Sequence, residues 1–482
     1  VVLSPEQQNV LDLVKRGENV FFTGPAGTGK SVLLREIVKA LRTKYQGDSM
    51  AIAVTAPTGI AGLNIGGGTI HSFSGIRLGK EKVEKLANSI YHNKLASERW
   101  KKVRTLIIDE SKYPSYGISM LDGRIFDKIE YVARFVREDG RPFGGVQLVL
   151  SGDFCQLPPV PDESHRFRMP STFSFDAESW TRCIPRPPVY LTRVFRQRDS
   201  RFIDLLGQMR IGKLSQEHIR LLLSLSRPLR YPDGIEPSYL FPLRAEVDAC
   251  NQSRLQALKS PAVTYEAMES AGVDVFGQLI DKESALKLLD RLVAPRTITL
   301  KAGAQVMLIK NVALGLVNGS CGKIIEFITV HEAMKRHIQI AEMKNQKQQD
   351  DIPGSSPPKR DHPPQELVPI GEAIFSNTQE WPLVQFTSGD LLLCAPLDFS
   401  VEGFIGNVEA KRIQVPLILS WALSIHKSQG QTLQRVKIDL GRVFEMGQAY
   451  VAISRATTMD DLEIVNFNPT KVEAHPRVIA WQ

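Results

Sequence analysis

The residues whose types and spacing point first to chemistry lie in Gly24–Ser31, which reads G-x-x-x-x-G-K-S. Glycines in this pattern let the backbone curl until its N–H groups face inward and cradle a di- or triphosphate. Lys30 is positioned to reach the β- and γ-phosphates, and the Ser31 hydroxyl to ligate Mg²⁺. A glycine-rich turn without a ligand is the alternative. The predicted nucleotide-binding residues are Gly24, Pro25, Ala26, Gly27, Thr28, Gly29, Lys30 and Ser31.

Two carboxylates follow an apolar strand farther along the chain. Thr105–Ile108 is typical of a buried strand, and Asp109 and Glu110 come directly after it. In nucleotide hydrolases with such a loop, one carboxylate holds Mg²⁺ and a neighbouring group orients the attacking water. We therefore predict that Asp109 is a metal residue and that Glu110 is the hydrolytic carboxylate. An acidic pair that merely ends a strand is the alternative.

The elements that must position these residues follow a repeating strand–helix pattern. Asn19–Phe22 is typical of a buried strand, and apolar residues recur at helical spacing after the loop, up to Tyr45. Val146–Leu150 is another buried strand, and Gln156 beyond it either touches a γ-phosphate or is an ordinary loop amide. This pattern predicts an α/β fold with a parallel sheet, helices on both faces, and the ligand at the carboxyl ends of the strands.

An amide upstream of the loop is a further candidate nucleotide contact. Ser4 and Pro5 predict the start of a helix, because Ser caps helix N-termini and Pro fits the first helical position. Gln7 then lies in the first turn, where its amide donor and acceptor could read the two edges of adenine. From the sequence, a solvated helix residue is an equally good interpretation of Gln7.

Length and composition limit the class of protein. The chain has 482 residues, 43% of them hydrophobic, which predicts roughly two to four globular domains. The net charge of +8 suits a polyanionic partner such as nucleic acid. Five scattered cysteines without C-x-x-C pairing suggest a reducing compartment and no zinc or iron–sulfur site. No apolar run is long enough to span a membrane, and the opening without Met suggests a core cut from something longer.

Two stretches have residues suited to a nucleic-acid chain. In the first, a small-residue turn containing Thr58 could hold a sugar-phosphate chain, and His71 or Phe73 could stack on a base. A flexible loop with a core Phe is the alternative. In the second, residues 75–105 hold nine Lys or Arg against three Glu. That excess predicts either a basic insertion along a nucleic-acid backbone or a solvated helical face.

The rest of the chain repeats the α/β pattern around a β-rich stretch. We predict a first domain over 1–185 and a second domain over 186–255 and 413–482. Residues 256–412 carry β-rich runs with glycine turns, which predicts a small β-barrel-like insertion. Its polar, proline-containing piece 341–367 is predicted to be a mobile loop.

Arg455 follows a short helix whose other face is apolar. This arrangement predicts that the guanidinium points away from the core, where it would meet a phosphate across an interdomain cleft. A surface salt bridge is the alternative interpretation of Arg455.

A series of motifs occurs in the order found in helicases: Gly24–Ser31, Thr55–Phe73, Ile107–Glu110, Gly152–Val160, Leu191–Gln197, Val415–Leu433 and Gln448–Thr457. On these motifs the chain resembles the petite-integration-frequency (Pif) helicases, the RecD-like branch of superfamily 1, over nearly its whole length. The least common motifs are Gly152–Pro159, Ser424–Gly430 and Tyr450–Ala456. Asp204–Gly212 is also similar to the signature helix of that family.

The resemblance implies a fold and an activity. The implied fold has two tandem RecA-like P-loop domains with ATP between them, a small wedge insertion over 75–105 and an SH3-like insertion over 256–412. The implied activity is ATP- and Mg²⁺-dependent unwinding of duplex DNA, with movement 5′ to 3′ on single-stranded DNA, extended to G-quadruplexes and RNA–DNA hybrids. The implied partners are single-stranded DNA and duplex or G-quadruplex junctions, bound by a monomer, with no membrane. Genome, telomere and mitochondrial DNA maintenance, in nucleus or mitochondrion, follow from the same resemblance.

Carried over by position, the resemblance also assigns residue roles. Gln7 reads adenine, Gln156 senses the γ-phosphate, and Gln429 with Gly430 links ATP to DNA. Arg196 and Arg455 reach ATP from the second domain. The implied catalytic residues are Lys30, Asp109, Glu110, Gln156, Arg196 and Arg455. The implied DNA contacts are Pro57, Thr58, Gly59, His71, Ser72, Phe73, His426 and Lys427.

One departure from the family pattern lies beside Glu110. The family has Ile-Ser-Met directly after Asp-Glu, whereas here Ser111–Gly117 intervenes before Ile118-Ser119-Met120. The extra residues either bulge as a loop or disturb Glu110. Two functions therefore stay open: a DNA helicase, and an ATP-binding DNA clamp that does not hydrolyse ATP. A small-molecule kinase has no reason to carry the second α/β half that ends in Ser454-Arg455.

Overall fold

The computed structural model describes residues 2–46, 48, 50–56, 68–76, 79–109, 118–159, 172–274, 277–290, 292–312, 315–341, 378–403 and 407–482. Some predictions fall outside these ranges and stay predictions. They are the DNA contacts Pro57, Thr58 and Gly59, the catalytic Glu110 with the segment 111–117, and the loop 341–367 except Ala341.

The described residues form strands in both parallel-sheet units and in the insertion. They are β1 Val20–Thr23, β2 Ile52–Ala56, β3 Gly68–Thr69, β4 Thr105–Ile108, β5 Gln147–Ser151, β6 Val189–Tyr190, β7 Ser238–Phe241, β8 Ala262–Glu266, β9 Met268–Ala271, β10 Thr297–Lys301, β11 Gln305–Leu308, β12 Cys321–Thr329, β13 Gln339–Ile340, β14 Glu380–Phe386, β15 Leu391–Leu393, β16 Leu397–Glu402, β17 Val408–Gln414, β18 Leu417–Leu419, β19 Ala422–Ser424, β20 Val436–Asp439 and β21 Leu462–Val465.

The described residues also form α-helices along the chain. They are α1 Pro5–Lys15, α2 Lys30–Lys44, α3 Ile70–Ser74, α4 Val83–His92, α5 Lys94–Lys102, α6 Gly123–Arg137, α7 Trp180–Cys183, α8 Ser200–Arg210, α9 Gln216–Ser224, α10 Arg244–Ala257, α11 Lys282–Leu289, α12 Val330–Lys335, α13 Ile425–Ser428, α14 Gln448–Ile453 and α15 Pro476–Trp481. Among the described residues, no helix combines the length and apolar character needed to cross a membrane.

The first sheet carries the phosphate-binding loop. Its order is β3-β2-β4-β5-β1-β6, and every neighbouring pair is parallel. Strands β1, β4 and β5 are buried along their whole length, as expected for a sheet covered on both faces. Phe21 packs into a core with Phe126 of α6, and Phe22 into a core with Leu33 of α2. The predicted helix–sheet–helix layering of this region is therefore correct.

Two segments predicted for the second domain lie on the first sheet unit instead. β6 pairs in parallel with β1, and Leu191 after it is buried in the same core as Leu33. Trp481 of α15 lies 6.0 Å from Phe21 and stacks on Phe175, with 4.8 Å between ring centroids. Both corrections have one cause, because a short element settles on the apolar surface it can cover, whatever its position in the sequence.

The second unit contains a parallel sheet of order β19-β7-β20-β21, with α8 and α14 in its core. Between β7 and β19 lies the mainly antiparallel insertion, whose largest sheet has the order β13-β15-β14-β12-β11-β18. The predicted limit at residue 412 is too early. Leu417–Leu419 pairs antiparallel with β11, so the chain re-enters the second parallel sheet only at Ala422.

Candidate functional site

The phosphate-binding loop joins β1 to α2, as its sequence context predicts. Gly27 and Gly29 have φ values of +85° and +78°, which L-residues with side chains rarely adopt. A Cβ on Gly27 would lie only 2.7 Å from Cβ of Arg196. The Lys30 ammonium donates to the carbonyls of Gly24 and Pro25 at 2.7 and 3.1 Å, so it lies across the loop.

A cavity of about 390 Å³ opens beside this loop and is lined by residues from both parallel-sheet units. From the first unit come Lys30, Ser31, Asp109 and Gln156, and the fully buried Asp109 lies at the end of β4. The second unit and the segment leading to it contribute Arg196, Gln429, Gly430 and Arg455. Residues that the sequence assigned from distant motifs therefore meet around one cavity, at the carboxyl edge of the first sheet.

Hydrogen bonds connect the segments that meet at this cavity. The buried Gln429 amide donates to Oε1 of Gln156 at 3.0 Å. Arg196 donates to the Ser454 carbonyl at 2.9 Å, and Gln197 Nε2 donates to the Ala456 carbonyl at 2.8 Å. Burial lowers the pKa of Arg196 from its ordinary value, but that value is so high that the guanidinium stays charged. Gln156 and Gln429, which both line the cavity, thus link the two units.

Arg455 lines the cavity between the two units, and its contact with a phosphate stays a prediction. The side chain is only 1% exposed, which excludes the alternative of a surface salt bridge. Its guanidinium donates to the Val451 carbonyl at 2.8 Å and to Oγ of Ser454 at 2.6 Å, while still lining the cavity. Helical periodicity indicates the side of a helix on which a residue lies but not what covers that side, so the burial of Arg455 was not predicted.

Gln7 is buried rather than solvated. Its Oε1 accepts the Ser4 N–H at 2.9 Å, which completes a capping box at the helix start that Ser4 and Pro5 predicted. Its Nε2 donates to the Thr28 carbonyl at 3.2 Å. Gln7 therefore supports the phosphate-binding loop from behind, and its contact with adenine stays a prediction.

Sequence reasoning missed a buried ion pair between the two units. Asp153, which follows β5, is fully buried and receives three hydrogen bonds from Arg210 of α8, the shortest 2.8 Å. Burial by itself would raise the pKa of Asp153, but the guanidinium of Arg210 holds it below its ordinary value. Both residues lie in motifs quoted for the resemblance, yet nothing in their spacing indicates that they pair.

An aromatic residue at the cavity was also missed. Phe195 lines the cavity and is 48% exposed, which is unusual for a large apolar ring. The Arg193 guanidinium lies 5.0 Å from the centre of this ring. Its position directly before Arg196 was the available signal.

The predicted DNA contacts have different environments. Phe73 is 2% exposed and packs edge-on against Trp100, with 5.0 Å between centroids, so its expected base stacking is wrong and the alternative core position is right. Ser72 is exposed, and its carbonyl accepts a hydrogen bond from Arg99. His426 and Lys427 lie in α13, directly after β19. Within the described ranges, no group of three or more His, Cys, Asp or Glu forms a metal cluster.

Comparison with known proteins identifies the family. The family model described as PIF1-like helicase matches residues 2–220, and that of the 2B domain of DNA helicase Pif1 matches residues 287–327. The ATP-dependent DNA helicase PIF1 of Emericella nidulans is 47% identical over an aligned stretch of 485 residues. This stretch covers 98% of this chain and 62% of that relative. A crystal structure of Pif1 helicase from Candida albicans is 40% identical, with a TM-score of 0.70 over 100% of this chain and 99% of that one. The chain belongs to the PIF1-like helicase family.

Solved Pif1 structures from Bacteroides extend the comparison. One, in complex with ADP-AlF4, is 26% identical with a TM-score of 0.72, and another, bound to single-stranded DNA, is 25% identical with a TM-score of 0.57. Each covers 100% of this chain and 96% of its own. This similarity confirms the predicted Pif fold, with two tandem RecA-like domains and a 2B β insertion. The roles of individual residues stay predictions, and so do the domain limits that the strand pairing and packing above do not correct.

Proposed function

We propose that this chain is an ATP-dependent DNA helicase that moves 5′ to 3′ on single-stranded DNA and unwinds duplex DNA. The observation that carries the proposal is the cavity in which the phosphate-binding loop of one RecA-like unit faces Gln429 and two arginines from the side of the other. The relative from E. nidulans is named an ATP-dependent DNA helicase, and the Bacteroides structures contain ADP-AlF4 or single-stranded DNA. These names support the activity and the class of partner.

Each residue predicted to be catalytic has a chemical task in ATP hydrolysis. Lys30 neutralises the β- and γ-phosphates. Ser31 and Asp109 suit Mg²⁺, because a hydroxyl and a carboxylate that line one cavity offer the oxygen ligands this ion prefers. When bound, the ion neutralises charge on the phosphates. Glu110 would orient the attacking water, and Gln156 would sense the γ-phosphate.

Hydrolysis would move DNA by closing and opening this cavity. Arg196 and Arg455 gain a phosphate partner only while ATP is held between the units, so ATP favours closure and hydrolysis favours opening. If each unit grips the strand alternately, closure and opening become a directional step. Grip through phosphates and stacked bases makes the movement tolerant of sequence and sensitive to salt.

The proposal extends to finer properties that rest on the family resemblance. They comprise action on G-quadruplex junctions and RNA–DNA hybrids, function as a monomer on DNA, and DNA maintenance in the nucleus or mitochondrion. Polarity is the one that can be tested together with the activity itself.

The test measures ATP hydrolysis with and without single-stranded DNA. It also measures strand displacement on partial duplexes that carry a single-stranded tail at either the 5′ or the 3′ end. We expect DNA to stimulate hydrolysis, and we expect only the duplex with the 5′ tail to be unwound. Lys30→Ala should abolish both, whereas Lys39→Ala, an exposed position on the same helix, should keep both. ATP and DNA binding without hydrolysis would instead make this chain an ATP-dependent DNA clamp and refute the helicase.

A further inference from the structure

A tyrosine of the second RecA-like unit contacts the phosphate-binding loop of the first. The Ala26 N–H donates to the Tyr450 hydroxyl oxygen at 2.8 Å. The Ala26 side chain also packs against the core of the second unit, to which Tyr450 belongs. The loop that is expected to hold the nucleotide phosphates therefore contacts α14 through a main-chain group and the core of the second unit through a side chain.

The same helix leads directly from Tyr450 to Arg455. The Tyr450 carbonyl accepts the N–H of Ser454 at 2.9 Å. The Ser454 hydroxyl accepts a hydrogen bond from Arg455, and the Ser454 carbonyl accepts one from Arg196. A short hydrogen-bonded path thus runs from the phosphate-binding loop to both arginines that line the cavity.

The start of α14 is held equally closely. Gly447 precedes the helix, and a Cβ there would lie 2.5 Å from the Gln156 carbonyl oxygen and 2.7 Å from that of Cys155. Because such distances exclude any side chain, α14 is in backbone contact with the first unit at this point. Tyr450 lies one turn farther on and makes the second contact, which together with the first defines the orientation of the helix.

We propose that Tyr450 is a positioning residue for ATP hydrolysis, whose hydroxyl fixes the distance between the phosphate-binding loop and α14 and so directs Arg455 toward the γ-phosphate. The inference rests on the proposed ATPase function. Tyr450 is 1% exposed, and burial raises the pKa of its phenol well above its usual range, so the hydroxyl stays neutral at physiological pH. Tyr450 does not line the cavity, so it acts through the loop and the arginine rather than on the nucleotide.

The alternative is that Tyr450 merely fills the core and that its hydroxyl satisfies a nearby N–H. Tyr450→Phe distinguishes the two, because it keeps the ring and removes only the hydroxyl. Tyr265→Phe is the matched control, since the Tyr265 ring is also buried and its hydroxyl also makes one hydrogen bond to the main chain, at 3.0 Å to Glu380, inside the β insertion.

The experiment compares the wild type and both variants in DNA-stimulated ATP hydrolysis, thermal unfolding and hydrogen–deuterium exchange of the peptide that contains Ala26. For Tyr450→Phe we expect kcat to fall about tenfold, or about 1.4 kcal/mol of transition-state stabilisation, with KM for ATP nearly unchanged. Exchange of the Ala26 peptide should be faster, and the unfolding temperature should match that of Tyr265→Phe. Tyr265→Phe itself should leave kcat and exchange at wild-type values.

Three results would overturn the inference. Unchanged exchange of the Ala26 peptide in Tyr450→Phe would mean that the hydroxyl does not hold the loop, even if the wild type failed to hydrolyse ATP and the proposed function were wrong. An unchanged kcat would assign Tyr450 to the core alone. A raised KM with an unchanged kcat would place its effect on ATP binding instead of on the position of Arg455.

Discussion

Arg210→Met is the sharpest test of the contact between the two RecA-like units. The substitution keeps most of the side-chain volume but leaves the carboxylate of Asp153, which is fully buried, without its guanidinium. Removing one partner of a buried ion pair typically costs about 3–5 kcal/mol, because the remaining charge has lost both water and counter-charge. Asp153→Asn in the same chain removes that charge, so the double variant should regain a large part of the loss.

The assay is thermal unfolding followed by circular dichroism. A loss of this size should lower the midpoint of the earliest transition by about 10 °C, given about 2–4 °C per kcal/mol for a large domain. Arg254→Met is the matched control, because the Arg254–Glu236 pair has a similar distance of 2.7 Å but both side chains are 51% exposed. Such exposed pairs contribute about 0–1 kcal/mol. Equal, small shifts for Arg210→Met and Arg254→Met would refute the reasoning.

The pH dependence gives an independent check on the same pair. The pKa of Asp153 in the folded chain lies below its ordinary value, because Arg210 outweighs the effect of burial. A carboxyl with a depressed pKa stabilises the fold above its unfolded pKa of about 3.9 and loses that contribution as pH falls toward the folded value. In Arg210→Met, burial without the guanidinium raises the pKa of Asp153, so this variant regains stability by protonation as pH falls, whereas the wild type loses the contribution of the pair only below about pH 4. The difference in unfolding temperature between wild type and Arg210→Met should therefore be largest near about pH 7 and should shrink as pH falls toward about 4 and below.

Substitutions at three further positions test other parts of the site and core. Gly27→Ala should reduce ATP turnover at least about tenfold, because its Cβ would meet Arg196 at 2.7 Å and φ is +85°, and turnover within twofold of wild type would contradict this. Phe73→Ala should lower the free energy of unfolding by about 3–5 kcal/mol in urea titration, with Phe73→Leu losing less; unchanged stability with weaker DNA binding would restore the base-stacking role. Trp481→Ala should lower the unfolding temperature through loss of stacking on Phe175, and Trp481→Phe should retain part of it.

The local patterns predicted the glycine-rich loop and the strands beside it well, and the physical reason is backbone geometry. A loop that must present its N–H groups inward needs glycines at positive φ, and Gly27 and Gly29 have that conformation. Likewise, a buried parallel strand needs a continuous apolar run, so the strand before Asp109 could be read directly from Thr105–Ile108. Such requirements act within a few residues and therefore leave a signature in sequence.

Features that depend on distant parts of the chain were not predictable in this way. Phe73 is covered by Trp100, Asp153 is paired with Arg210 of the other unit, and Trp481 stacks on Phe175. In each case the residue type is common at such a position in a sequence. Only the neighbour in the folded structure determines whether the side chain lies in the core, forms an ion pair or lies on the surface. The burial of Arg455 could not be predicted for the same reason.

The chain connects the two RecA-like units at two separate places. Leu191–Gln197 runs from β6 past the phosphate-binding loop toward α8, and the segment after β21 returns to the first unit, where α15 packs beside Phe21. Two rigid units that are connected at two points can rotate relative to each other about the axis through those points. Rotation about the line through both ties strains neither, whereas sliding or twisting must stretch one of them. We therefore expect opening of the cavity to follow one arc, which would let repeated ATP cycles move the DNA-gripping surfaces along the same track.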